Sequence, residues 1–432
     1  MPLTVINARR PDAPDRPTGI RIDAGAIVEL GTDVGPEPSD QVIDAGGKYL
    51  MEPLVNGHTH AAMTLFRGYG SDLQLMDWLQ NYIWPAEARL TDEQVYWGTR
   101  LAALEMIRCG TTHYFDMYWR PGAVAQATVD AGIRATLGGP LFDGGDETKL
   151  AEVQAMGREC LDAIEAHPGY GSLISASLTP HATYTVSGRS LEWAALFAEE
   201  REIPVHIHFC ETISEVEEFR AANPGLSPTE YLDQRGLLHP KVLLAHACVM
   251  DRADYELIAE RGATVVTNPS SNLKLASGRI FPYRRAAEAG VHIGLGTDGA
   301  SSNNSLDLLA ELKTFALLQK HESYDATTLP APEALAIAQG RRSPLLGGQE
   351  LAVGGRADFL LIDTDLPQMT PGDVVDNLVY SGAGESVDTV VVAGRVLMQN
   401  RSVLPGADGS TASDVLGNAR RCAVDLLGTS TA

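Results

Sequence analysis

The sequence predicts an α/β protein: a (β/α)8 TIM barrel carrying a small discontinuous β-sandwich domain formed by the N- and C-terminal segments. Three observations predict it. Eight short apolar runs alternate with helical stretches through the middle of the 432-residue chain, the rhythm of a parallel sheet wound with helices. Turn-rich β segments lie at both ends of the chain. Histidines and carboxylates recur at the C-terminal ends of the apolar runs, the face on which barrel enzymes work. An open doubly wound sheet is the rival architecture, and the strand count favours the barrel. The expected boundaries are 1–50 for the first part of the sandwich, 51–350 for the barrel, and 351–432 for the second part with a C-terminal tail.

Taken in order, LTVINA, GIRIDAGAIVEL and QVIDAGGKYL read as strands and turns of the first fifty residues. The barrel strands follow as EPLVNGH (52–58), THYFDMY (112–118), RATLGGPLF (134–142) and SLISASLTPH (172–181). PVHIHFC (204–210), KVLLAH (241–246), ATVVTNP (263–269) and VHIGLGTD (291–298) complete the series. Between them lie helical stretches such as TDEQVYWGTRLAALEMIRCG, which opens on Thr91 before an acidic turn and stops at Gly110. LEWAALFAEEREI is a second. ADFLLIDTD and VDTVVVAGRVLMQNRSV return to β character near the end. The Ser/Gly/Ala-rich stretch 405–418 reads as a surface loop, and the last few residues are expected to fray.

Composition narrows the function. A hydrophobic fraction of 44% supports a full core. The formal net charge of −23 repels nucleic acid and anionic membranes. No run approaches about 18 apolar residues, so no transmembrane helix is expected. The five cysteines, Cys109, Cys160, Cys210, Cys248 and Cys422, form no CxxC pair. They read as reduced thiols in a reducing compartment, and with no signal-peptide core at the N-terminus the expected location is cytoplasmic.

Five of the eleven histidines fall at strand ends: His58 and His60 on the first, His181 on the fourth, His208 on the fifth and His246 on the sixth. Glu211 lies just past the fifth strand and Asp298 closes the eighth. Two residues apart on an extended chain, His58 and His60 point the same way and reach one ion. His208 adds a third nitrogen and Asp298 an oxygen, a set that suits Zn²⁺ with a position left for water. Fe²⁺, Mn²⁺ or Co²⁺ are tolerated by the same donors. The remaining histidines, at 113, 167, 206, 239, 292 and 321, read as ordinary residues; His206 shares a face with His208 but lies deeper in the strand. Residues 294–299, GLGTDG, match a dinucleotide-binding GxGxxG. The acid expected about 20 residues on at the end of another strand is replaced by the helical ELKTFALLQK, so that reading is set aside.

PLVNGHTH (53–60), HIHFCET (206–212), LLAHA (243–247), NPSSNLKL (268–275) and GTDGASSNNS (296–305) together resemble the amidohydrolase superfamily. The resemblance runs from about residue 48 to about 400 and looks most like the adenosine-type branch, the 5-methylthioadenosine / S-adenosylhomocysteine deaminases. It implies that His58, His60, His208 and Asp298 hold one divalent ion. It implies that Glu211 shuttles a proton, that His246 orients the hydrolytic water, that Glu87 in IWPAEARLT binds ribose hydroxyls, and that His181 in TPHATY contacts the purine. Bimetallic members carry a lysine where this chain has Thr179, Pro180 and His181, so one ion is expected.

One departure bears on substrate. Homocysteine-accepting members place two arginines near the third strand, where this chain has Gly139 and the arginine-free DGGDETK (143–149). Adenosine, 5′-deoxyadenosine or 5-methylthioadenosine then fits better than S-adenosylhomocysteine, unless Arg67 or Arg120 substitutes. The alternative within enzymes is hydrolysis of another aminated or chlorinated heterocycle such as guanine, a pterin or an s-triazine. A binding or scaffold protein would be expected to have lost ligands. The relatives implied are commonly oligomeric, so a homo-oligomer is expected.

Overall fold

A computed structural model describes residues 2–382 and 384–428; the expectation of fraying falls on the last residues, which lie outside these. The N-terminal segment supplies β1 (Leu3–Arg10), β2 (Ala13–Asp23), β3 (Ala26–Gly31), β4 (Gln41–Asp44) and β5 (Tyr49–Met51). The middle supplies β6 (Leu54–Thr59), β7 (Thr111–Met117), β8 (Arg134–Gly138), β9 (Pro140–Leu141), β10 (Ile174–Ala176) and β11 (Thr179–Pro180). It continues with β12 (Val205–Phe209), β13 (Val242–His246), β14 (Thr264–Thr267) and β15 (His292–Leu295). β16 (Phe359–Ile362), β17 (Val387–Val392), β18 (Arg395–Gln399) and β19 (Ser402–Val403) close the series.

The two ends of the chain meet. β5 pairs antiparallel with β16, so strands from both termini share one nine-stranded sheet. β1 carries the junction: it pairs with β2 from Leu3 to Arg10, with register shifts on either side of Ala8, with β4 over its first half and with β5 at Arg9. Leu3, Val5, Ile20, Ile27 and Leu50 from one end cluster with Phe359, Leu361 and Val391 from the other in a single apolar core.

In the middle, β10–β8–β7–β6 and β12–β13–β14–β15 form two four-stranded sheets, all pairs parallel. A helix follows each strand position, as the alternating sequence predicts; Asp92–Arg108 has the expected Thr91 cap, in a capping box with Gln94. Bridges Leu178↔Val205 and Ala182↔His208 join the sheets along one pair of edges. Along the other, the Asp298 amide donates to the His58 carbonyl at 3.0 Å. Parallel strands buried on both faces read as continuous apolar runs, which is why they were visible in the sequence. Inside, Val55, Phe115, Leu243, Ala245, Val266 and Leu346 form a separate cluster earlier in the strands than the histidines. That cluster makes a floor of packed side chains under the polar residues.

The C-terminal stretch holds more helix than its composition indicates. Residues 405–411 are a loop, but Ala412–Leu427 is an α-helix opened by a Thr411–Asp414 capping box, which corrects the reading of 405–418 as loop throughout. This helix packs on Asp92–Arg108, with an Arg421–Glu93 ion pair at 2.6 Å. The Ser and Gly content there marks a cap and a solvent face. No helix among the described residues is long and apolar enough to cross a membrane.

Candidate active site

The polar residues at the strand ends converge. Nε2 of His60 lies 3.3 Å from Oδ1 of Asp298, and Nε2 of His58 lies 3.5 Å from the same oxygen. Nε2 of His208 lies 3.2 Å from Nε2 of His60. Donor atoms of His58, His60 and His208 fall within 4.8 Å of one another, as do those of His58, His246 and Asp298. Alternation places His58 and His60 on one face of β6, and the junction of β15 with β6 brings Asp298 against them. The glycines of GLGTDG serve that junction: a Cβ at Gly296 would stand 2.9 Å from the His58 backbone and 2.4 Å from Asn268 Oδ1. The apparent nucleotide motif is a packing requirement.

The hydrogen bonds fix which ring nitrogens are bare. His60 Nδ1–H donates to the Met117 carbonyl at 2.6 Å, and His208 Nδ1–H donates to the His181 carbonyl at 2.8 Å. A neutral imidazole has one N–H, so both Nε2 atoms present lone pairs to each other at 3.2 Å. Two acceptors at that distance repel unless a cation lies among them. His58 Nε2 is buried with no hydrogen-bond partner and faces the same spot. Burial holds the His58 pKa down to about 4 and lowers those of His60 and His208, which keeps all three neutral and able to ligate. The Asp298 carboxyl lies well below its ordinary value although burial pushes it up. Ser271 Oγ at 2.6 Å and Ser302 Oγ at 3.0 Å donate to Oδ2, and the Gly299 amide donates to Oδ1 at 2.7 Å. Three neutral nitrogens and a carboxylate, each oriented by an outer hydrogen bond, fit a divalent ion.

Glu211 and His246 flank the cluster. His246 Nε2 lies 3.9 Å from Glu211 Oε2, and its Nδ1 meets Asn272 Oδ1 at 2.9 Å. Asn272 Nδ2 donates to Cys248 Sγ at 3.0 Å, which orients the amide so that its oxygen faces the histidine. His246 therefore carries a proton on Nδ1 and turns Nε2 towards Glu211; burial pulls its pKa down, but the Glu211 and Asp298 carboxylates and the Asn272 bond more than reverse this. Burial raises the Glu211 pKa, opposed by the His246 charge. His246 and Asp298 both sit in left-handed backbone, at φ 76° and 59°.

A cleft of about 690 Å³ opens from this cluster, walled by Leu75, Trp78, Ile83, Trp84, Trp119 and Phe142. Trp119, Phe142 and His181 form a stacked series, with ring centroids 5.7 and 4.4 Å apart. His181 Nδ1 meets Thr185 Oγ1 at 2.9 Å. Glu87 lines the cleft, on the short helix Trp84–Glu87 that follows a π-helical turn, Leu79–Ile83. Burial pushes its carboxyl up to about 7, against the pull of Trp119 and Tyr118. All eight residues singled out in the sequence border this cleft or the cluster beneath it.

His206 was missed. Its Nε2 lies 2.8 Å from His58 Nδ1, so it is a partner of the cluster and not an ordinary core histidine. The signal available was alternation with His208. Tyr118, Asn272 and Ser271 were also missed, although all three lie in motifs that were read.

The profile of the amidohydrolase family matches residues 53–397. The chain belongs to this family. A 5′-deoxyadenosine deaminase of Methanoregula boonei is 44% identical over 403 residues, covering 91% of this chain and 89% of its own. A 5-methylthioadenosine/S-adenosylhomocysteine deaminase of Desulforudis audaxviator is 42% identical over 393 residues, covering 89% and 90%. The crystal structure of an adenosine deaminase from Xanthomonas campestris with bound zinc is 32% identical, with a TM-score of 0.88 over 99% of each chain. Amidohydrolase membership and these relatives make the chain a hydrolytic enzyme.

Arg67 and Arg120, the exceptions left open at the substrate carboxylate, are engaged elsewhere. Arg67 is bonded to Glu105 and the Asn304 carbonyl, and Arg120 to Asp92 at 2.6 Å. Neither borders the cleft. A side chain at Gly139 would run into Cys160 Sγ, at 2.4 Å from its Cβ, and Pro121. No lysine or arginine is among the cleft-lining residues described.

Proposed function

We propose that this amidohydrolase deaminates an adenosine-type nucleoside, namely adenosine, 5′-deoxyadenosine or 5-methylthioadenosine, at the purine carbon bearing the amino group, with release of ammonia. The observation that carries the reading is the set of bare imidazole nitrogens and the Asp298 carboxylate at the floor of a cleft that also holds Glu211, His246 and Glu87. His58, His60, His208 and Asp298 hold one ion, with Zn²⁺ supported by the zinc-bound relative. When bound, a divalent ion would supply Lewis-acid activation of the water nucleophile. His246, with Nε2 turned to the cleft, hydrogen-bonds the attacking water and orients it with Asp298. Glu211, whose carboxyl burial shifts upward, gives a proton to the ring nitrogen N1 as electron density builds there. The same carboxylate, now ionised, takes one proton from the attacking water and passes it to the amine, which leaves as ammonia. The second water proton returns to Glu211 as the ring carbonyl forms. His181 stacks in line with Phe142 and contacts the purine. Glu87 accepts from the ribose hydroxyls, and the aromatic wall excludes water from the 5′ side.

The apolar lining supports an uncharged 5′ substituent. A carboxylate there would lack the charge-assisted bidentate bonds of an arginine. The edge contacts between the two four-stranded sheets support closure into a (β/α)8 barrel over roughly residues 51–350, and the shared core of the two termini supports a sandwich. A cytoplasmic homo-oligomer completes the reading, and light scattering on purified protein tests the assembly. The deciding experiment is a deamination screen with adenosine, 5′-deoxyadenosine, 5-methylthioadenosine and S-adenosylhomocysteine, run with guanine, a pterin and an s-triazine. Turnover confined to the last three compounds would sink the nucleoside reading.

A further inference from the structure

His206 sits two residues before His208 on β12, beneath the cleft floor. Its ring meets that of His58 edge to face, with centroids 4.9 Å apart and planes at 80°. The contact is a nitrogen–nitrogen hydrogen bond, His58 Nδ1 to His206 Nε2 at 2.8 Å. Both residues are buried, at 0% and 1% exposure. Of the outer nitrogens of the pair, His206 Nδ1 has no hydrogen-bond partner and His58 Nε2 faces Asp298 Oδ1 at 3.5 Å.

A bond between two ring nitrogens contains one proton, so one ring donates and the other accepts. If His206 donates, His58 Nδ1 is the acceptor, and the neutral His58 ring carries its own proton on Nε2. That nitrogen then has no lone pair for a cation. If His58 donates, its Nε2 is bare and turned to the cluster. His206, as the acceptor, then carries its proton on Nδ1, where it is buried without a partner. An orphaned buried donor is a stability cost. A leucine would fill the position without that cost. The imidazole at 206 is explained by what it does for His58.

We propose that His206 is a positioning residue for the metal centre: its Nε2 accepts the Nδ1 proton of His58 and so holds His58 in the tautomer that can bind a divalent cation. His60 and His208 use backbone carbonyls for this purpose, at Met117 and His181. His58, the most buried of the three, is served by a side chain instead. Outer partners of this kind change metal affinity by about 10–100-fold when removed. The inference rests on His58 being a ligand, as proposed above.

The test compares the metal-free full-length protein with its His206→Leu and His206→Gln variants. Zn²⁺ affinity is measured by competition with a chromophoric chelator, and melting temperature by calorimetry without metal. His206→Leu is expected to weaken Zn²⁺ binding by about 10–100-fold while the metal-free melting temperature stays level or rises. His206→Gln, whose amide oxygen can accept the same proton, is expected to retain affinity within about threefold of wild type. A purely structural role would give the opposite pattern: a lower metal-free melting temperature and unchanged affinity in His206→Leu. Should His206→Leu fail to fold, ¹⁵N-histidine NMR of the zinc-loaded wild type decides. The expected result is a proton attached to His58 Nδ1 with coupling through the hydrogen bond to His206 Nε2; a proton attached to His206 Nε2 overturns the proposal. Wild-type protein that binds no Zn²⁺ would instead remove the metal-centre reading itself.

Discussion

The Nε2 atoms of His60 and His208 face each other at 3.2 Å with both Nδ1 protons committed to carbonyls. Such a contact is favourable only with a cation among the lone pairs. Chelation is therefore expected to abolish turnover and lower the melting temperature, with Zn²⁺ restoring both. At a hundredfold excess over Kd the metal should add about 2.7 kcal/mol. His208→Ala should lose metal and activity together, measured by elemental analysis and ammonia release. Retention of a full metal equivalent by His208→Ala would take this histidine out of the ligand set.

Glu211→Gln should keep its metal and lose turnover by about 10²–10⁴-fold. The amide cannot carry a proton between ring nitrogen, water and amine. Near-normal kcat would end the assignment of proton transfer to this residue.

Glu87 lines the same cleft as the metal cluster. Glu87→Ala should lower kcat/KM for nucleosides by about tenfold or more, since hydrogen bonds to a charged group contribute about 1.5–3 kcal/mol. Free adenine should be little affected. Equal loss for both substrates would place Glu87 outside the ribose contacts.

The cleft walls predict discrimination at the 5′ position. 5′-Deoxyadenosine and 5-methylthioadenosine should exceed S-adenosylhomocysteine in kcat/KM by at least about tenfold, the value of one charge-assisted contact. Comparable values for all three would mean that a cation reaches the carboxylate from outside the cleft-lining set.

Glu311 offers a pH test beside the active site, close enough for the Asp298 charge to add to the effect of burial. It is buried, accepts from the Ser270 amide at 2.6 Å and from Asn303 Nδ2 at 2.9 Å, and burial pushes its carboxyl up to about 7. With a folded pKa above the unfolded value of 4.5, the folded state binds the extra proton between these limits. Stability is lost as pH rises through that window. Glu311→Gln should lack this loss. Its stability relative to wild type should rise between pH 5 and pH 8 by up to about 3 kcal/mol, read from denaturation at each pH. A flat difference across that range would show that Glu311 does not titrate there.

The strand series was legible because parallel strands covered on both faces are written as apolar runs, each ending in the residue it delivers to the site. His58, His60, His208 and Asp298 could be placed from those ends alone. Glu87 could not, since it rides on a π-turn and a four-residue helix with no periodic signal; only family resemblance located it. His206 was misread because alternation tells which face a side chain takes but not what meets it across the sheets, and its partner lies 148 positions away. The helix Ala412–Leu427 was partly misread because composition weighs Ser and Gly as loop residues, whereas here tertiary packing on Asp92–Arg108 overrides that weak local preference.

The left-handed backbone at His246 and Asp298 has a consequence for engineering. Each such residue costs about 1–3 kcal/mol and persists because its surroundings hold it there. A directed-evolution campaign selecting only for heat resistance of the metal-free protein would be rewarded for relaxing these two positions, with glycine or asparagine the natural replacements. Its most robust clones would be inert, so a useful library holds both positions fixed and selects on turnover after heating.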